Sequence, residues 1–211
     1  MKGCRPGYKV ADLFIQAANR TMTKFFALAL LTLSAAAQAQ ARYRPFDFVA
    51  GIGVTAGGST LTTVQYADGS SQDISAGSGV MLYAGGETRI GEIGSFQATL
   101  GYHVDTTHGR NGDVRFSRYP IELLAYVPLN PALRVGVGAR FVNNPRLQGS
   151  GVASNIDVKF DSTVGFVVEG EYRFTPWVGV KLRAVSERFK ATATTESVSG
   201  DHLGLLCNFY F

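Results

Sequence analysis

The chain has 211 residues, 45% of them apolar and 11% aromatic, a content that excludes a disordered chain and suits one domain. Its formal charge of +4 lies wholly in residues 1–41, which hold five Lys/Arg against one Asp; residues 42–211 carry 15 basic and 15 acidic residues. A nucleic-acid partner is thereby excluded, because phosphate binding needs its positive excess on the working domain.

The first element in chain order is Phe25 to Ala37, FFALALLTLSAAA, a run of 13 residues without charge. It is too short to span a bilayer as a helix, which takes roughly 20 residues. Lys24 precedes it and Ala-x-Ala sites follow it, at Ala37-Gln38-Ala39 and Ala39-Gln40-Ala41. Basic, apolar and small residues in that order predict a secretory signal peptide over 1–41 with its core at 22–41. Met22-Thr23-Lys24 opens a normal signal, so 1–21 is either an extended basic region or a start placed too early. Cys4 falls in this leader and Cys207 in the mature part, so no internal disulfide is expected.

From 42 to 211 the recurring signal has period two. It predicts eight strands, 46–56, 79–90, 95–105, 115–127, 132–142, 159–174, 177–189 and 202–211, mostly longer than the ~5–6 residues usual in soluble sheets. A tilted strand needs about 9–11 residues to cross a bilayer. The connections alternate: 57–78, 106–114, 143–158 and 190–201 are long and polar, whereas 91–94, 128–131 and 175–176 are short. Asn130-Pro131 and Thr175-Pro176 supply turn chemistry to two of the short ones. Even strand number with loops sorted by length predicts an all-β fold: an eight-stranded antiparallel up-and-down transmembrane β-barrel over 42–211, preceded by the signal peptide.

The two faces of each strand differ. Val164, Phe166 and Val168 oppose Glu169 and Glu171, and Val178, Val180 and Leu182 oppose Lys181 and Arg183. Lys or Arg on the lipid face near the midplane costs about 2–4 kcal/mol, so the charged parity is expected to face inward. That assigns Asp47, Glu87, Arg89, Arg118, Glu122, Arg134, Arg140, Glu169, Glu171, Arg173, Lys181, Arg183 and Glu187 to the lumen, seven positive and six negative. A barrel of eight strands has room for little more than its own side chains. The charges are therefore expected to pair and plug it. Strand 79–90 fits least well, because Met81 and Tyr83 share the face of Glu87 and Arg89. Aromatic girdles are expected from Phe48, Phe96, Tyr172, Phe174, Phe209 and Phe211 at the short-turn end. Tyr102, Tyr119, Phe141 and Phe160 are expected to form the girdle at the other end.

These residues, and the ending Leu-Gly-Leu-Leu-Cys-Asn-Phe-Tyr-Phe, resemble the small eight-stranded outer-membrane barrels of Gram-negative bacteria, the OmpA-barrel, OmpX and opacity-protein group. The resemblance covers essentially all of 42–211. It implies location in the cell outer membrane, contact with its lipids and lipopolysaccharide, and a monomer. It also implies that Leu203, Leu205, Cys207, Phe209 and Phe211 form the signal read by the barrel assembly machinery. The resemblance is to the barrel of OmpA-type proteins, so the peptidoglycan-binding role of their soluble domain is not expected of residues 42–211.

The reading of function that follows is a non-enzymatic barrel with a charge-plugged lumen, serving envelope structure or surface contact through four long extracellular loops. A small selective channel is one alternative. A lipid A-modifying enzyme is another: His103 falls on the inward face with Asp105 two residues on and Ser117 near the start of the next strand. No Gly-x-Ser-x-Gly elbow is present. His103, His108 and His202 are dispersed, so neither metal nor cofactor is expected.

Overall fold

The computed structural model describes residues 45–65, 71–108, 112–193 and 196–211. The predicted signal peptide, with its core at 22–41 and the upstream 1–21, lies outside the described residues. The strands are β1 (Phe46–Gly57), β2 (Thr60–Gln65), β3 (Ser71–Ser75), β4 (Gly79–Ile90), β5 (Gly94–His108), β6 (Asp113–Pro128), β7 (Leu133–Gly149), β8 (Asp157–Lys159), β9 (Thr163–Thr175), β10 (Val178–Ser186), β11 (Arg188–Lys190), β12 (Ser197–Ser199) and β13 (His202–Tyr210). A 3-10 turn, Gly151–Ala153, precedes β8.

Eight of these strands close into a ring, in the order β1, β4, β5, β6, β7, β9, β10, β13 and back to β1. Every neighbour is antiparallel. The seam between first and last strands runs from Val49 opposite Tyr210 to Gly57 opposite His202. At its end the Phe211 N–H donates to the Phe48 carbonyl (2.9 Å) and the Phe48 N–H to the Phe211 carbonyl (3.2 Å). Closure follows from the solvent, because an unpaired strand edge in hydrocarbon would leave its backbone groups without partners.

The strict side-chain period of two produces two opposite surfaces. Outside stand Phe48, Ile52, Leu82, Leu100, Leu123, Phe166, Leu182 and Leu205, all exposed. Inside stand Asp47, Glu87, Glu122, Glu169, Lys181 and Arg183, all buried. Met81, Tyr83 and Leu206 do face inward, where with Val49 and Tyr210 they form an apolar cluster between the charged groups. Two lumen glycines make room for rings. A Cβ on Gly51 would stand 2.2 Å from Tyr83, and one on Gly136 would stand 2.5 Å from Tyr126.

The structure corrects the sequence reading at the long-loop end. The connections there hold two hairpins, β2–β3 and β11–β12, and the short strand β8 on the edge of β7. The predicted strand 159–174 is two strands, β8 and β9, and 177–189 breaks at Glu187 between β10 and β11. Phe160 is not a girdle residue. It is buried with Ile74, Val114, Phe116, Val142, Leu147 and Phe189 in a small core beneath the loops. Phe116, Phe160 and Phe189 meet edge to face, with ring centroids 5.6, 5.7 and 6.3 Å apart. The inward positions of strands that extend past the membrane lie above the charged zone, and there they bury apolar groups against one another. The other proposed girdle members Phe48, Phe96, Tyr119, Phe141, Tyr172, Phe174, Phe209 and Phe211 stand on the exposed outer face.

Candidate functional site

The lumen carries the polar chemistry of this molecule, and strand register builds it. Cross-strand neighbours on the inward face place Arg134 opposite Glu171, Glu122 opposite Arg140, and Arg183 opposite Glu169. Closure then adds contacts across the lumen. Arg134 on β7 reaches Glu87 on β4 at 2.6 Å, and Arg183 on β10 reaches Glu122 on β6 at 2.8 Å.

Three groups result. Near the short-turn end Arg89 pairs with Asp47 at 2.8 Å. Beside it Arg134 and Arg173 share Glu87 and Glu171, at 2.6 to 3.7 Å, and both guanidinium groups lie over the Tyr210 ring. Deeper in, Lys181, Glu169, Arg183, Glu122, Arg140 and Glu187 alternate in one chain with contacts of 2.5 to 2.9 Å. Taking ions out of water costs several kcal/mol each, and only close pairing with further hydrogen bonds offsets it. The side chains that supply those bonds were not singled out from the sequence. Tyr126 bonds Glu169 and Gln97, Tyr83 bonds Asn208, and Gln97 accepts from Lys181 Nζ at 2.9 Å. Continuing the parity of Glu122 to Tyr126 would have found one of them.

A cavity of about 220 Å³ opens at the short-turn end, lined by Glu87, Arg89, Tyr126, Arg134 and Arg173 among others. The ion-paired arginines thus stand at its wall. At the other end Arg118 is buried against the Phe116 ring (4.8 Å), below the apolar core.

The proposed catalytic constellation is not assembled. His103 is wholly buried; its Nε2 lies 2.8 Å from both Thr55 Oγ1 and Arg118 Nη2, and its Nδ1 lies 3.0 Å from Arg140 Nη2. Ser117 has the opposite parity to the inward Arg118, so it sits on the other side of the wall. Asp105 accepts from the Ser75 N–H at 3.0 Å. Leu203, Leu205, Phe209 and Phe211 of the terminal motif are exposed on the outer face, with Cys207 half-buried between them.

Outside the spanning strands, the Arg146 guanidinium at 2.6 Å holds the Asp157 carboxyl below its usual range. Hydrogen bonds from the Ser186 side chain and the Glu187 N–H do the same for Asp201. Among the described residues no cluster of His, Cys, Asp and Glu is arranged to hold a metal ion. No helix among them is long and apolar enough to cross a membrane; the crossing is made by strands.

A closed antiparallel barrel with an apolar outer wall and an ion-paired interior is a transmembrane β-barrel of the outer-membrane kind. The chain belongs to the outer membrane protein beta-barrel domain family, which matches residues 25–149, and it resides in the outer membrane. None of the curated proteins matches it. Among solved structures it is similar to neisserial surface protein A, at 14% identity over 80% of this chain and 98% of that one, with a TM-score of 0.48. It is also similar to Ail, the attachment invasion locus protein of Yersinia pestis, at 9% identity over 79% and 97% of the two chains, with a TM-score of 0.47. A third likeness is AlkL, at 14% identity over 82% and 93%, with a TM-score of 0.42.

Proposed function

We propose that the protein is a non-enzymatic barrel with a sealed lumen, which strengthens the envelope or makes surface contacts through its long-loop face. The observation that carries this reading is the pairing of lumen charges into neutral groups that reach from wall to wall. An ion entering would have to break contacts of 2.5 to 2.9 Å between desolvated partners. The apolar core beneath the loops supports the same reading from the other end. The loops stand on a rigid scaffold, the usual place for recognition.

In this reading the outer wall meets lipid and lipopolysaccharide, the protein works as a monomer, and the assembly machinery reads the terminal motif from Leu203 to Phe211. Planar-bilayer recording of the refolded protein tests the seal: no steady conductance is expected, and a large steady one overturns it. Mass spectrometry of lipid A in cells with and without the protein tests the enzymatic alternative, and an acyl change that depends on His103 would establish it.

A further inference from the structure

Of the twelve Lys and Arg side chains among the described residues, seven face the lumen and five face outward: Arg115, Arg146, Lys159, Arg188 and Lys190. All five stand at the long-loop end, and all on one half of the ring, on β6, β7, β8 and β11. The outer wall of β1, β4, β5 and β13 carries none. Nor does the outer wall at the short-turn end, where Phe46, Ile90, Val127, Tyr172 and Phe174 stand exposed.

Two changes of parity turn cations to the outside. Even-numbered residues of β7 face the lumen up to Val142, and Arg146 would follow them. The bulge containing Asn144 reverses the order, so that Leu147 is buried and Arg146 stands outside, opposite Ser117. Even-numbered residues of β9 face outward at Val164 and Phe166, yet Phe160 is buried, which leaves Lys159 outside. Bulges at barrel rims re-aim side chains in this way. The result sets Arg146 directly opposite Lys159. Like charges in opposite positions on paired strands repel. Asp157 answers Arg146, at 2.8 Å from Nε and 2.6 Å from Nη2, whereas Arg115 and Lys159 are in no ion pair among the described residues. Asp161, whose N–H donates to the Lys190 carbonyl at 2.9 Å, and Asp113, a row further out, complete the charges and leave the face with a positive excess.

Directly below these rows stands Tyr119, with the Tyr102 ring 5.3 Å away, and below it the exposed Ile121, Phe141 and Leu100. Arg146, level with Ser117, lies two residues beyond Tyr119, and Arg115 lies four beyond it. At about 3.3 Å per residue and a tilt near 45°, those are heights of about 5 and 9 Å above the girdle. A headgroup layer is about 5–8 Å deep on each side of the hydrocarbon. We propose that this half of the outer wall is a docking face for lipopolysaccharide, on which Arg115, Arg146 and Lys159 hold the phosphates of one lipid A head while its acyl chains lie on the wall below Tyr119. The assignment rests on the reading of the outer wall as lipid-facing and of the long loops as extracellular, and it adds a site and a side. Two features select this occupant. Cations and apolar wall form one continuous surface, so the ligand must join phosphate to acyl chains. The cations stand in the leaflet at the long-loop end, which in an outer membrane is the lipopolysaccharide leaflet; a phospholipid of the opposite leaflet meets a wall without them.

The probe is lipid A in two forms, bisphosphorylated and with both phosphates removed. Native mass spectrometry of the refolded protein in detergent micelles reads the complex. One bisphosphorylated lipid A per barrel is expected to be retained, and the form without phosphates to bind at least about tenfold more weakly, since each cation near a charged lipid surface contributes about fivefold. Arg115→Gln combined with Lys159→Gln should weaken binding of the bisphosphorylated form about 30-fold on the same scale. Both side chains are exposed, and the mobility shift on boiling checks that the variant barrel closes. Equal retention of the two lipids, or a double variant that binds like the parent, overturns the docking face. Inositol hexakisphosphate should not displace the lipid; full displacement would make the face a site for soluble polyanions and overturn the choice of occupant. The comparison of the two lipids uses the unaltered protein, so it decides the matter even if the variant does not fold. None of these outcomes bears on the sealed lumen, which conductance reads separately.

Discussion

Glu122 accepts from two arginines, Arg140 at 2.5 Å and Arg183 at 2.8 Å, and all three side chains are buried. Glu122→Gln removes the charge that both guanidinium groups share. Urea unfolding should then show a loss of about 3–5 kcal/mol, the usual result of stranding a buried partner. The exposed pair Arg146–Asp157 behaves differently, since solvent screens it. The Asp157 carboxyl is held low by Arg146, so its contribution is present above the unfolded carboxyl's range and is lost as pH falls through the folded value. Asp157→Asn should therefore leave the unfolding midpoint of the barrel unchanged. Gly51 shows the steric side of the same packing. A Cβ there would stand 2.2 Å from the Tyr83 ring, whose hydroxyl is fixed on Asn208. Gly51→Val should cost about 1–3 kcal/mol by overpacking, read as a lower urea midpoint.

At the scale of elements, β10 and β11 divide one stretch of alternating sequence between two environments. Residues up to Ser186 belong to the barrel wall, and Phe189 belongs to the core beneath the loops. Periodicity continues through the break at Glu187, so the sequence alone reads it as one strand. The β6–β7 pairing is likewise irregular between Ser117 and Tyr119, where Arg118 faces a two-residue bulge containing Asn144 at φ 48°. That bulge moves the inward parity of β7 from even to odd residues, from Val142 to Pro145 and Leu147. Asn143-Asn144-Pro145 was the signal for it. Phe189→Ala should empty a site between Phe116 and Phe160 and release the β11–β12 hairpin. The Ala191 and Gly200 amides, which donate to the Glu196 and Glu187 carbonyls, should then exchange faster, while those of β13 stay protected.

For the whole molecule, closure joins strands far apart in the chain and makes the ion pairs across the lumen possible. The sealed ring should resist cold detergent, so the unboiled protein should migrate differently from the boiled one on a gel; identical migration would count against a closed barrel. The plug has more than one layer. The double variant Glu87→Ala with Arg134→Ala enlarges the short-turn cavity, yet the Lys181-to-Glu187 chain remains above it. Bilayer recording of that variant should still show no steady conductance.

Alternation along 42–211 by itself determined which side chains meet lipid and which face the lumen, because a strand has only two sides and a charge among acyl chains is too costly. Loop lengths determined the up-and-down order, since short turns sorted to one rim and long loops to the other require strands that alternate in direction. Tertiary structure alone decided that Arg134 would find Glu87, that Arg118 would lie against the Phe116 ring, and that Phe160 would leave the wall for a core under the loops. Those outcomes depend on the stagger and curvature with which distant strands come together, and no local pattern in the chain encodes that relation.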